Sequence, residues 1–592
     1  MCFRVIFFIV FLFFSTRISA NTFSKNNSSS VTNNPVINEY SPVVSLEKCK
    51  NIITVEDGSK FKVGDTVLII QMKGAEINLT NSASFGFITD YKNCGNYEFN
   101  YVKSKSGNSI ELKNKLQKQY DIPTGKVQLI RVPYYINFSV TTELTCLPWD
   151  GKKGGVLVFL VRDTLKLNAN LNVSNKGFTG GKGINTFNMN LHCGELQYFY
   201  PRTSNLAALK GEGISELPED KVSGRGSPAN GGGGGQDHNS GGGGGGNGGI
   251  GGKGGFQYQY CTGSVDNRGE GGKALLINNA TGKIFLGGGG GAGHCNNEGF
   301  NSSGGNGGGI ILFKAKHLTS NNFSINANGQ DAAQCTPNSV SGYCHEGMGG
   351  GGAGGTVLID VDTHDKWNVN IKGGVGGNMN SDVDFGKLGP GGGGGGGAFW
   401  FNKPALPSVG NYTLDLQGGN SGVNSNLGNN KWGAENGNTG VVLLNYTVPF
   451  DILPFSPNID SIRIASTKVS CFQYNFNTLD FTNTSPITTY YWDFGDGNTS
   501  SNQNNSHIYS AEGDYTVKLI GIDANGCKDS TSKLISIRNC SSCNLNFDFY
   551  YDYDPCSPLS VKFHGTGTDI SNPKWIFDDG STITGNLSPV KT

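Results

Sequence analysis

The chain has 592 residues, 92 of them glycine, with 46 basic and 46 acidic side chains and a formal net charge of zero. That length accommodates roughly three to five domains. The charge balance argues against nucleic acid as a partner, because phosphate backbones call for a basic face. Apolar residues make up 36% and arrive in bursts: Val156–Val161, Ile310–Phe313, Thr356–Val361 and Val441–Leu444. Bursts of β-branched and aromatic residues bounded by Gly and Asn read as strands. Sustained helical periodicity is lacking, so the predicted class is all-β.

Residues 1–20 read as a signal peptide. Arg4 supplies the positive charge, Val5–Phe14 the apolar stretch, and Ile18-Ser19-Ala20 the small-residue cleavage site. A bilayer needs about twenty apolar residues, so a transmembrane anchor is not expected. The protein is expected to be secreted or extracellular, at the cell surface. Residues 21–35 are polar and predicted to be a disordered leader. Residues 36–150 resume globular composition. Phe61–Ala75, Ser106–Leu112 and Lys126–Val132 each combine a turn with a short strand, which predicts a small β-barrel or sandwich.

Residues 151–450 form a glycine-rich repetitive region. Gly154–Gly177, Gly271–Gly289, Gly307–Gly329, Gly354–Gly374 and Gly395–Gly419 each read as a glycine run, an apolar strand, a turn and a second strand. The last four units recur at roughly 36–46 residues, the range of stacked repeats. One strand pair cannot bury its own face, so the pairs are predicted to join in a shared β-sandwich or solenoid. Between them stand runs such as Gly231–Gly255, Gly287–Gly291, Gly349–Gly355 and Gly391–Gly397. Collagen is excluded by the missing G-X-Y period. Flexible loops are one reading. The other, preferred here, is a bundle of extended polyproline-II-like inserts packed backbone against backbone, which only glycine permits. Such runs resemble the glycine-rich domains of certain receptor ectodomains and phage tip adhesins.

The 14 cysteines fall to 13 after cleavage at Ala20, and export favours disulfides. His294-Cys295 and Cys344-His345 suggest a metal site but lack tight zinc-ligand spacing. A disulfide such as Cys335–Cys344 is preferred. H-E-x-x-H, G-x-S-x-G and phosphate-loop patterns are absent, so no enzyme is predicted. Asp360, Asp362 and Asp365 read as a solvated face or turn rather than an acid/base pair. Tyr198, Phe199 and Tyr200, inside a polar insert, are candidate ligand-contacting aromatics, with core or loop packing as the alternative.

Trp492, Asp493, Phe494, Gly495, Asp496 and Gly497, then His507 and Tyr509, then Gly513 and Tyr515 in GDYTVKL, match the motifs of PKD domains. Residues 457–538 resemble that family throughout, which implies an Ig-like β-sandwich. Trp492 is then a core aromatic, Gly495-Asp496-Gly497 a hairpin turn, and Tyr509 and Tyr515 core and corner. Cys471 and Cys527, at its two ends, look like a disulfide pair. No cofactor is expected. Calcium at Asp493 and Asp496 is the alternative to a simple turn. Trp575–Gly580 repeats the motif 83 residues on. Residues 543–592 thus resemble an incomplete, truncated second PKD domain, expected to pack poorly. The whole arrangement resembles large secreted surface proteins of Bacteroidetes type, linked to gliding motility and type IX secretion. It implies a surface adhesin or structural protein whose partner is an extracellular glycan or protein. The alternative is a polysaccharide-binding or polysaccharide-processing accessory.

Overall fold

The computed structural model describes residues 35–47, 50–183, 193–261, 266–296, 302–334, 344–381, 386–450, 462–479, 487–523, 528–538, 547–553, 561–567, 573–577, 581–585 and 588–591. The signal peptide and nearly all of the leader lie outside these. The protein is all-β. The described residues hold strands and three short 3-10 turns, and no α-helix. Two compact units are present, 23–455 and one within 456–592.

The first unit begins with a closed antiparallel barrel of six strands, in order Glu39–Glu47, Ile52–Val55, Ser109–Leu112, Tyr97–Ser106, Thr66–Gln71 and Val127–Arg131. Thr66–Gln71 fastens the barrel to the rest of this unit. Val67 and Ile69 point into the barrel core. Leu68 and Ile70, on the opposite face, join the core of the glycine-rich region. A strand buried on both faces loses the alternation of a half-exposed one, hence the unbroken run TVLII.

The repeats build two parallel sheets. Val156–Val161, Ile310–Thr319, Thr356–His364, Ala398–Phe401 and Val441–Leu443 lie side by side in one, with Val156 opposite Ile310, Ile310 opposite Thr356, Thr356 opposite Ala398 and Ala398 opposite Val441. Leu171–Asn172, Ser324–Asn326, Trp367–Asn370 and Tyr412–Asp415 form the other. The two strands of one repeat therefore pair with their counterparts in neighbouring repeats, not with each other. Both faces of the first sheet are covered, and all six residues of Val156–Val161 are buried, as parallel sheets require. Gly271–Gly289 departs from expectation, because it contains no strand. It is flanked by glycine runs and bonds to them: Gly272 N–H donates to Gly244 O, and Leu275 N–H to Asn247 O.

The glycine runs form an ordered bundle. Gly241 and Gly244 donate to Gly255 and Gly252. Gly242 and Gly245 donate to Met348 and Gly351. Gly243 and Gly246 donate to Gly233 and Asn230. In return Gly241 and Gly244 accept from Gly269 and Gly272, Gly242 and Gly245 from Gly392 and Gly395, and Gly243 and Gly246 from Gly291 and Gly288. All of these bonds are 2.7–3.0 Å. Each partner recurs every third residue, the period of a polyproline-II helix. One run thus touches six neighbours and satisfies all its buried N–H and C=O groups. A Cβ placed on Gly244 would lie 2.0 Å from the Gly393 carbonyl oxygen, and on Gly243 2.1 Å from that of Glu270. Both obstacles are backbone and cannot move aside.

Side chains close the bundle's flank at the same period. Asn328 Oδ1 accepts from Lys372 N–H at 2.8 Å, Asp331 Oδ1 from Val375 N–H at 2.7 Å, and Gln334 Oε1 from Asn378 N–H at 3.0 Å, each 44 residues ahead. Lys73 of the barrel reaches Glu212 of the glycine-rich region at 2.5 Å, with both side chains largely buried. Burial pushes the Glu212 carboxyl up, but Lys73, Trp149 and Thr179 outweigh it and hold it below its usual range.

In the second unit, a three-stranded sheet (Arg463–Lys468, Gln473–Leu479, Asn505–Ile508) and a four-stranded one (Thr499–Ser500, Ile487–Asp493, Gly513–Asp523, Lys528–Ile537) belong to one sandwich. Phe476, Trp492, Val517, Leu519 and Ile537 are fully buried in its core. Further on, Phe547–Tyr553, Val561–Gly567 and Val590–Lys591 form one small sheet, and Lys574–Ile576 with Thr582–Thr584 another. Trp575 is only half-buried there, with its ring centroid 5.6 Å from that of Phe563. Asp578–Gly580 lie outside the described residues.

Candidate functional site

Beside the glycine bundle, five segments converge: Cys193–Tyr200, Gln236–Ser240, Phe256–Cys261, Asn267–Arg268 and His294–Asn296. A disulfide joins Cys193 to Cys261, 68 residues apart. His238 is buried between them, its Nδ1 4.0 Å from Cys261 Sγ and its ring 5.1 Å from Tyr258, edge to face. Burial lowers the His238 pKa to about 4. His294 is also lowered to about 4, by burial against the opposing bond to Asn205. Both imidazoles are therefore neutral at pH 7. His294 Nε2 faces the Asn205 carbonyl at 2.9 Å, which can only accept, so this nitrogen carries the proton and Nδ1 faces Asn239 N–H at 3.3 Å. Asn267 Nδ2 donates to Asp237 O and Gln257 Oε1. The Oε1 of Gln236 and Oδ1 of Asn267 are buried with no hydrogen-bond donor among the described residues.

Tyr198, Phe199 and Tyr200 border this cluster, but they do not form an open patch. Tyr200 is buried and its hydroxyl donates to Glu195. Burial, then that bond, raises its pKa. Arg225 lies 3.9 Å from the Tyr198 ring, and Lys221 Nζ 3.8 Å from that of Phe199. Lys210, itself buried, donates to the carbonyls of Tyr198, Gly224 and Gly226, each at 2.7 Å. The insert is fastened down because one buried ammonium needs three acceptors and the backbone supplies them. The exposed large apolar side chains here are instead Leu196, at 47%, and Tyr260, at 62%. Tyr260 belongs to Phe256-Gln257-Tyr258-Gln259-Tyr260, directly after a glycine run. Aromatics at two-residue spacing were the signal that sequence reasoning passed over. Tyr258 and Tyr260 pack edge to face at 5.3 Å, and Phe256 meets Trp432 at 6.1 Å.

The other candidates are dispersed. Cys344 and Cys471 are disulfide-bonded; Cys335 and Cys527 lie outside the described residues. Asp360 does not sit on a solvated face. It is buried, 3.3 Å from Lys314 Nζ, and accepts from Asn402 Nδ2 and Val448 N–H. Asp362 is exposed and Asp365 lies beyond the strand end.

In the C-terminal sandwich the motif residues organise a turn. Asp493 Oδ1 accepts from Gly495 N–H at 2.9 Å, and Asp496 Oδ1 from Asn498 N–H at 3.0 Å. Gly495 and Gly497 adopt φ of 82° and 92°, which side-chain-bearing residues rarely adopt. Asp496 Oδ2 meets His507 Nε2 at 2.7 Å, and the His507 ring stacks on Phe494 at 4.1 Å. Burial pushes the Asp496 carboxyl up, but His507 and Asn498 pull it below its usual range. Tyr509 donates to Phe494 O and stacks on Tyr515 at 4.2 Å. Protein donors thus hold one oxygen of Asp493 and both oxygens of Asp496.

Residues 456–537 match the family described as PKD domain. This segment is a PKD domain. A stretch of 53 residues is 40% identical to "Collagenase ColQ1" of Bacillus cereus (strain Q1), covering 9% of this chain and 6% of that protein. A stretch of 79 residues is 33% identical to human "Polycystin-1-like protein 1", covering 13% and 2%. The chain therefore spans a small fraction of either relative. Among solved structures, the PKD1 domain of the Vibrio cholerae metalloprotease PrtV is 24% identical, covering 13% of this chain and 96% of that one, with a TM-score of 0.13. The PKD domain's Trp492 and its turn are structural parts, and the cluster around His238 lies in a different unit from them.

Proposed function

We propose that this is a non-enzymatic secreted or cell-surface protein, adhesive or structural, in which the glycine-rich region is a rigid display platform and the PKD domain a spacer. The observation that carries it is the six-neighbour packing of Gly241–Gly246, which makes the repeats stiff with hardly a side chain spent. PKD domains occur in extracellular proteins. Among the described residues no helix is long and apolar enough to cross a membrane. The partner is an extracellular glycan or protein, and export belongs to the gliding-associated, type IX class that the architecture resembles. The exposed Tyr260 and Leu196 at a disulfide-anchored site favour a second reading, polysaccharide binding, since flat rings suit sugar faces. A glycan array and a cell-binding assay on the full chain separate the two. Cell binding without glycan retention or product release supports the first. Specific glycan retention supports the second, and product release would overturn the non-enzymatic reading. The platform itself is tested by hydrogen exchange: amides of Gly241–Gly246 are expected to be strongly protected, and exchange as fast as an unstructured peptide would sink it.

A further inference from the structure

The Cys193–Cys261 pair and His238 form the group among the described residues that brings together soft metal-ligand atoms, all within 4.8 Å of one another. We propose that this position has two states: a disulfide when oxidised, and a zinc site of two thiolates and one imidazole when reduced.

Zinc takes sulfur at about 2.3 Å and imidazole nitrogen at about 2.0–2.1 Å in tetrahedral geometry, so its ligand atoms stand roughly 3.5 Å apart. The 4.0 Å between His238 Nδ1 and Cys261 Sγ is close to that spacing. His238 is only 4% exposed, yet its ring has no oxygen or nitrogen partner within hydrogen-bonding range among the described residues. A buried imidazole aimed at sulfur alone gains nothing from that position as a hydrogen-bonding group, but it is placed as a ligand. Its segment is fixed independently of the disulfide. Tyr258 N–H donates to His238 O at 2.8 Å, and Asn267 Nδ2 to Asp237 O at 2.9 Å. Opening the S–S bond therefore leaves Cys261 and His238 together. Cys193 is exposed, which admits a reductant, a metal ion and a water in the fourth position.

The balance is simple. A phosphine gives two electrons to the S–S bond and becomes its oxide with oxygen from water, whose two protons go to the two sulfurs. Zinc then displaces both protons and binds the thiolates. Cys94, Cys146 and Cys295 compete poorly. Each is buried, and burial pushes the thiol up to about 12.

Cobalt(II) is the probe, because thiolate ligation gives it an intense near-ultraviolet charge-transfer band. The full chain, reduced with a phosphine under argon, should bind one cobalt with that band and release it to zinc. The oxidised chain should show no such band. Loss of a supporting residue alone costs about 10–100-fold in metal affinity, so His238→Ala should weaken cobalt by at least about 100-fold. His238→Cys should restore it, and Cys193→Ser/Cys261→Ser should abolish the band. Amide protection of Gly241–Gly246 reports whether each variant still folds. A reduced wild type without the band, or an unchanged band in the double serine variant, overturns the proposal. So does unchanged affinity in a folded His238→Ala.

Discussion

In the PKD sandwich, Phe476, Trp492 and Tyr509 fill the space between two sheets, and removing any one leaves a hole. In the glycine bundle no such space exists, because a central run such as Gly241–Gly246 lies against six others. One region is built from side-chain volume and the other from its absence. The sandwich tolerates smaller residues at a cost set by the cavity, whereas the bundle tolerates no larger ones. Rigid β architecture can therefore follow from two opposite compositions, and glycine content by itself says nothing about order.

The sharpest way to break this contrast is Gly244→Val, where the Gly393 carbonyl oxygen stands 2.0 Å from a Cβ. The expected loss exceeds about 4 kcal/mol, in the range reserved for severe core lesions. Calorimetry should show the first unit's transition lost and the PKD transition unchanged. A folded, wild-type-like first unit would refute the bundle. Trp492→Ala should follow, destabilising the PKD domain by about 3–5 kcal/mol. Trp575→Ala, at a half-buried ring, should cost about 1 kcal/mol or less. Equal protease protection around the two tryptophans would erase that difference. Lys73→Met leaves Glu212 buried without its partner and should cost about 3 kcal/mol. Adding Glu212→Gln should recover part of that, as a double-mutant cycle in urea would show.

The smallest effect concerns acid. Asp496 has a folded-state pKa below its usual value. Its contribution is complete above the ordinary carboxylate range and lost as pH falls through the lower folded value. The PKD melting temperature should drop by a few degrees between pH 5 and pH 2.5, and Asp496→Asn should flatten that part of the curve.

Much of this molecule was legible in its residues. Unbroken apolar bursts such as VLVFLV announced strands, and WDFGDG with GDYTVKL announced the PKD domain. Partner choice was not legible. Ile310 pairs with Thr356, 46 residues on, rather than within its own repeat, because parallel registry is set by stacking between whole repeats, which no local window contains. Gly271–Gly289 looked like a strand pair, but its neighbours are glycine runs that bond in three directions, not the two of a sheet. The period-three acceptors Asn328, Asp331 and Gln334 carried that signal in plain sight. At the candidate site, Tyr198–Tyr200 drew attention by composition, yet the buried Lys210, twelve residues after Tyr198, fastens their backbone down. The Cys193–Cys261 link has no spacing rule to reveal it.

The six-neighbour packing also governs how such a chain can change over generations. Inside the bundle nearly every substitution is forbidden by a carbonyl oxygen some 2 Å away, so those stretches are frozen to a single letter. Outside the runs the obstacle is absent at exposed turn positions such as Gly410 and Gly428, where nothing lies within 4 Å of an added Cβ. Change in such a chain is therefore confined to its edges and turns, while the bundle itself admits almost none.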